Sequence, residues 1–203
     1  MLTFSSVLLS LGLLLGGSSQ PAPNAESLAV PTGGKGKVFL SKDEALGLAF
    51  GDCQVERSTV YLTAEQRARV DQLAGFEVKA KIAYTYRAMR KGELVGYAWF
   101  DVSKVRSKKQ LVMFVVSAEG RIERFELLAF GEPSEYIPRA NWYAQLVGKR
   151  LDPKLKLKKS IRSVTGATLT ARATVQAARR VLALQATLFP ATPSPAAKTP
   201  KRP

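Results

Sequence analysis

Leu111-Val112-Met113-Phe114-Val115-Val116 is an unbroken apolar run. A run this short, rich in β-branched residues, predicts a central strand rather than a helix. The flanking segments extend the argument in both directions. Upstream, Ile82 to Met89 and Leu94 to Val102 are strand-like and bracket Lys91-Gly92, a tight-turn signal. Downstream, Ala118-Glu119-Gly120 turns the chain into a further apolar stretch, Ile122 to Phe130. Four consecutive strands joined by short turns make an antiparallel meander. Val55 to Leu62 reads as another strand.

Helices are predicted on either side of these strands. Ser41-Lys42-Asp43-Glu44 and Thr63-Ala64-Glu65-Gln66 are capping boxes, predicting helices to Phe50 and to about Ala74. Ala140 to Val147 reads as a short helix. Leu155 and Leu157 alternate with Lys154, Lys156 and Lys158, the pattern of an edge strand with one wet face. The last element runs from Thr170 to about Leu188, where Val175, Ala178, Val181, Leu182 and Gln185 form one stripe. The expected fold class is α+β: an antiparallel meander flanked by helices, ending in a long helix after a Thr-Gly-Ala-Thr turn.

The chain has 203 residues and a formal net charge of +15, from 31 Lys and Arg against 16 Asp and Glu. It contains no histidine, and its one cysteine is Cys53. Those counts argue against most transition-metal sites, Ser-His-Asp and Cys-His chemistry, and an intrachain disulfide. Residues 1–25 carry no charged side chain and hold an apolar run from Val7 to Leu15. They read as a signal peptide, or else an N-terminal anchor, which places the body in an extracytoplasmic space such as the periplasm. Residues 26–37 read as a flexible lead-in, 38–189 as the domain, and 190–203 as a disordered basic Pro/Ala-rich tail. Three of the positive charges belong to that tail (Lys198, Lys201, Arg202), so the body carries +12. That charge serves solubility or favours anionic partners.

Ser163-Val164-Thr165-Gly166-Ala167-Thr168-Leu169-Thr170 is the stretch most like a site. It sets hydroxyls and a glycine against the start of a helix, where unpaired N–H groups and the helix dipole attract phosphate. Thr170 is the expected N-cap. Arg172 falls in the expected first turn, where the dipole disfavours a cation unless an anion is near. Lys158, Lys159 and Arg162 add positive potential. From spacing alone, an ordinary capped strand-to-helix turn is the favoured explanation of the segment.

Thr165-Gly166-Ala167-Thr168, with Thr170 beyond, resembles the flavin-attachment motif of the FMN-binding domain family. That family includes the extracytoplasmic flavoprotein subunits of the Na+-translocating NADH:quinone oxidoreductase and of the Rnf electron-transport complex. Gly96-Tyr97-Ala98-Trp99-Phe100, Gly120-Arg121-Ile122 and Glu132-Pro133-Ser134-Glu135-Tyr136-Ile137-Pro138 are also similar to family members, as are Trp142, Gln145 and Gly148-Lys149. The resemblance spans roughly Val38 to Leu188. It implies FMN held through its phosphate by Thr165, Gly166, Ala167, Thr168, Leu169 and Thr170. It also implies a phosphoester at Thr168 added by a separate flavin transferase. The family pattern has an acidic residue where this chain has Arg162, which leaves covalent and non-covalent binding both open; an arginine suits a non-covalent phosphate.

Candidate walls for the flavin ring are Tyr136, Trp142 and Tyr143, or Tyr97 and Trp99, which share a strand face. Each is otherwise a core aromatic. Tyr84 and Tyr86 form a further same-face pair, and Glu132 and Glu135 are either ring partners or solvated loop carboxylates. The function implied is an electron carrier or redox-complex component with a membrane or periplasmic redox partner and contact with the membrane surface. No dinucleotide fingerprint or nucleic-acid motif is present. The alternatives are a non-redox module for another phosphate-bearing ligand and a secreted basic protein acting on polymers through charge.

Overall fold

The structure, a computed structural model, describes residues 36–190. The expected signal segment, nearly all of the lead-in, and the tail beyond Pro190 lie outside the described residues. The strands are β1 (Lys37–Val38), β2 (Gln54–Tyr61), β3 (Ile82–Arg90), β4 (Glu93–Lys104), β5 (Lys109–Val116) and β6 (Ile122–Phe130). The helices are α1 (Lys42–Phe50), α2 (Ala64–Ala74), α3 (Ala140–Tyr143) and α4 (Thr168–Leu188).

One antiparallel sheet runs in the order β1-β6-β5-β4-β3-β2, so β2 to β6 form the expected meander and β5 lies inside it. Lys91 and Gly92 turn β3 into β4 with φ of 51° and 82°. Two left-handed residues in succession match the twist of the strands they join. Both capping boxes close: Ser41 pairs with Glu44 at α1 and Thr63 with Gln66 at α2.

Strand alternation divides the core into two layers. Tyr97, Trp99, Val112, Phe114 and Val116 face α2 and α4. Ala98, Met113, Val115, Tyr86 and Leu128 face the other way and are covered by Ala45, Leu46 and Phe50 of α1. Tyr97 and Trp99 are therefore core aromatics beneath α4: Tyr97 stacks on Phe189 at 4.5 Å, and Trp99 Nε1 donates to Gln185 Oε1 at 2.8 Å. Burial raises the Tyr97 phenol above its ordinary range, against the pull of the Arg87 cation. Tyr86 is core, while Tyr84 lies under the Arg57 guanidinium.

Alanines at 171, 177, 178 and 183 of α4 are fully buried, so this helix lies close on its neighbours. Arg180 forks onto Asp101 of β4 at 2.6 and 2.9 Å. Arg179 is buried and donates to the carbonyls of Ala74, Asp152 and Leu155, tying the end of α2 to the segment before α4.

Two local expectations change. Lys154 to Lys158 is not an edge strand. Lys159 N–H donates to Lys156 O, Ser160 N–H to Lys154 O and Ile161 N–H to Lys156 O, so the bonds are local turns rather than a ladder. Leu155 and Ile161 are buried and anchor this knuckle, and Lys158 takes φ of 61°. A left-handed lysine costs about 1 kcal/mol, which the anchors offset. Thr170 is not the N-cap of α4: the helix begins at Thr168 behind Ala167, and the Thr170 hydroxyl donates to Tyr136 O at 2.6 Å.

Candidate functional site

The Thr165–Thr168 turn closes at Gly166, whose φ of 80° is left-handed. A Cβ built there meets no atom within 4 Å, so backbone conformation demands glycine and the space above it is open. Ala171 N–H makes the first intrahelical bond of α4, to Ala167 O. No side chain caps the preceding N–H groups, unlike those of α1 and α2. Thr168 is exposed, and its Oγ1 donates to Val164 O at 3.0 Å. That bond uses the hydroxyl proton and leaves the oxygen lone pairs free.

Three hollows meet this turn. The smallest, 220 Å³, brings together Gly166, Ala167, Thr168, Leu169 and Thr170 with Tyr136, Val105, Arg106 and Glu132. Thr168 also stands on the rim of a 560 Å³ cleft with Ser163, Lys156, Lys158 and Arg172 above an apolar floor of Phe76, Leu157 and Val175. A third cleft, 590 Å³, holds Thr165, Arg162 and Trp142 beside Glu135 and Arg139. The residues singled out in the sequence thus converge on one turn but divide among its sides. Arg172 is exposed on α4 beyond its first turn.

Trp142 is buried, and its Nε1 donates to Arg162 O at 2.7 Å, while Arg162 N–H donates to Gln145 Oε1 at 2.8 Å. These bonds pin the Arg162 backbone and leave its side chain exposed. Tyr143 stacks on Phe125 at 4.6 Å, and burial pushes its phenol far above the ordinary range.

Glu132 is not a solvated loop carboxylate. It is buried, and its Oε1 accepts from the backbone N–H groups of Arg106, Ser107 and Lys108 at 3.2, 2.6 and 2.6 Å. The Lys108 amide, with those of Ser107 and Arg106, holds its pKa below the ordinary carboxylate value, although burial works the other way. Glu132 thereby fixes the β4–β5 turn, which carries Arg106 into the hollow. The sequence held no signal for Arg106, because the strand register that brings it there is non-local.

The donor set fits a phosphate at the start of α4: uncapped N–H groups, an outward hydroxyl oxygen, an open glycine and nearby cations. Among the described residues, no group of three or more His, Cys, Asp or Glu side chains could hold a metal ion, and no helix is long and apolar enough to cross a membrane.

No protein-family model matches the chain, and no curated protein matches it. Among solved structures it is similar to the crystal structure of Shewanella oneidensis NqrC, with a TM-score of 0.50 and 16% identity over 75% of this chain and 89% of that one. At that identity the likeness is one of fold.

Proposed function

We propose that this chain is an extracytoplasmic FMN-binding electron carrier, its flavin held through the phosphate at the start of α4 and linked to Thr168. The observation that carries the reading is the exposed Thr168 hydroxyl at an uncapped helix start, facing an open hollow. Two further lines support it: the match of Thr165 to Thr170 with the family's attachment pattern, and the fold shared with NqrC.

When bound, FMN supplies an isoalloxazine ring that takes up and releases electrons; the protein holds it and controls access. Thr168 Oγ1 would be the attachment atom; in the free protein its O–H donates to the Val164 carbonyl and holds the oxygen in place, a bond given up when the phosphoester replaces that proton. The uncapped N–H groups of Thr168 and Leu169 would hold the phosphate, and Lys158 and Arg172 in the adjoining cleft would lower its charge cost. Tyr136 and Leu169 would offer the ring a partly apolar wall, with Arg106 supplying a cation in the same hollow. Ligand pockets commonly span about 300–1,000 Å³. The 220 Å³ hollow is smaller than that, so it would not enclose a whole flavin ring.

The test is in-gel fluorescence of protein produced with a flavin transferase. The expected result is a fluorescent band after denaturation that Thr168→Ala abolishes. Flavin that binds natively but leaves on denaturation removes the covalent link and keeps the carrier. A colourless native protein that takes up no added FMN overturns both and favours the non-redox phosphate module.

A further inference from the structure

The knuckle between Asp152 and Arg162 displays five cations, Lys154, Lys156, Lys158, Lys159 and Arg162, against one acid, Asp152. All five are exposed, and among the described residues none lies in an ion pair. Asp152 is also exposed and is engaged by its own loop, its Oδ1 accepting from Lys154 N–H. The backbone that carries these charges is anchored. Leu155 and Ile161 are buried, the Leu157–Ile161 bridge closes the loop, and Arg179 grips the carbonyls of Asp152 and Leu155 from behind.

Like charges so close repel one another, and a left-handed Lys158 adds backbone strain. Folding alone does not call for this, since polar neutral residues would serve solubility as well. The knuckle also leads directly into Thr165–Thr168, and its Lys156 and Lys158 share a cleft with Thr168.

We propose that this knuckle is the docking surface for an acidic redox protein, which it seats beside the Thr168 site. Electron-transfer encounters are small, and opposite charge governs their on-rate and orientation more than buried area does. The knuckle fits that mode better than it fits lipid. Its large apolar side chains, Leu155 and Ile161, are buried and Leu157 is only part-exposed, so little is available to enter a bilayer interface. The proposal rests on the flavin reading only for what the partner exchanges. In that step one electron leaves the partner, which is oxidised, and enters the flavin, which is reduced; no bond forms or breaks.

The test uses a plant-type [2Fe–2S] ferredoxin as the acidic probe and vesicles of equal phosphatidylglycerol and phosphatidylcholine as the lipid probe. Binding is measured on flavin-free protein, so the docking result stands whether or not flavin is held; reduction of the flavin-loaded protein is followed separately. Salt is set at about 0.01 M and about 0.1 M, between which the screening length falls from about 30 to about 10 Å. The charge-reversed pair Lys154→Glu with Lys159→Glu spares the two lysines of the cleft. The expected result is ferredoxin binding that weakens at least about tenfold with salt and about tenfold with this pair at low salt. The milder pair Lys154→Gln with Lys159→Gln should fall in between, which separates docking from misfolding. The equal charge change Lys37→Glu with Lys42→Glu, near α1, should cost much less. Equal losses from the two reversed pairs would reduce the effect to net charge and overturn the proposal. Loss of vesicle binding with ferredoxin binding intact would also overturn it, in favour of a membrane surface.

Discussion

Thr168 and Arg162 stand six residues apart, yet they face different clefts of the same turn. This separation bears on attachment. Under the proposed reading, a transferase that reads the side chain at position 162 would approach from the 590 Å³ side while Thr168 received the flavin on the other. Arg162→Asp supplies the acid of the attachment pattern that Thr165–Thr168 resembles without disturbing the backbone bonds to Trp142 and Gln145, and under the proposed reading should raise the fluorescent fraction on a denaturing gel. An unchanged fraction would remove Arg162 from the explanation. Thr168→Ser keeps the nucleophilic oxygen and should retain most of the label. Glu132 makes a different prediction. Its pKa is lowered in the folded state, so its stabilisation is complete above the unfolded carboxylate value of about 4.3 and is lost as pH falls through the folded value. Glu132→Gln should cost about 1–3 kcal/mol near neutrality, by chemical denaturation, and should flatten the acid limb of stability against pH. The motif around Thr168 was legible because it is contiguous. The role of Glu132 was not, because its partners lie in a turn more than twenty residues away.

Among the elements, the ends of α1 and α2 were legible from four residues each, since a capping box is a local, reciprocal pair of hydrogen bonds. Thr63→Ala should therefore cost about 1 kcal/mol in thermal or urea unfolding. Leu182 of α4 is almost wholly buried, and Leu182→Ala should cost about 2–5 kcal/mol by the same measurement. The order of those two losses is the sharper check, because it follows from burial and not from helix propensity. The knuckle was misread for a physical reason. Alternating leucine and lysine records only which side chains are buried, and a turn anchored at Leu155 produces the same alternation as an edge strand. Ladder bonds versus local bonds decide between them, and periodicity carries no information on that point. The start of α4 was misjudged by two residues because the Thr170 hydroxyl has a distant alternative partner, the carbonyl of Tyr136.

At the scale of the whole molecule, the sheet separates two environments. α1 covers one face; the other carries α2 and α4, and the candidate site sits where α4 begins. If the +12 on the body serves docking of the proposed flavin carrier, reduction by an acidic donor should slow steeply as salt rises, measured by stopped-flow absorbance of the flavin. A flat response would confine the charge to solubility. The meander was legible because sequential antiparallel strands need only local turns. The short β1, which pairs with the distant β6, carried no such signal. The bare start of α4 also makes the molecule its own reporter. Most of α4 is buried, so its interior amides should exchange with solvent deuterium only through large-scale opening. The amides of Thr168 and Leu169 lie outside that protection and should exchange fast until a phosphate covers them. A slowing confined to those two positions would register a phosphate-bearing ligand there whether or not that ligand absorbs visible light.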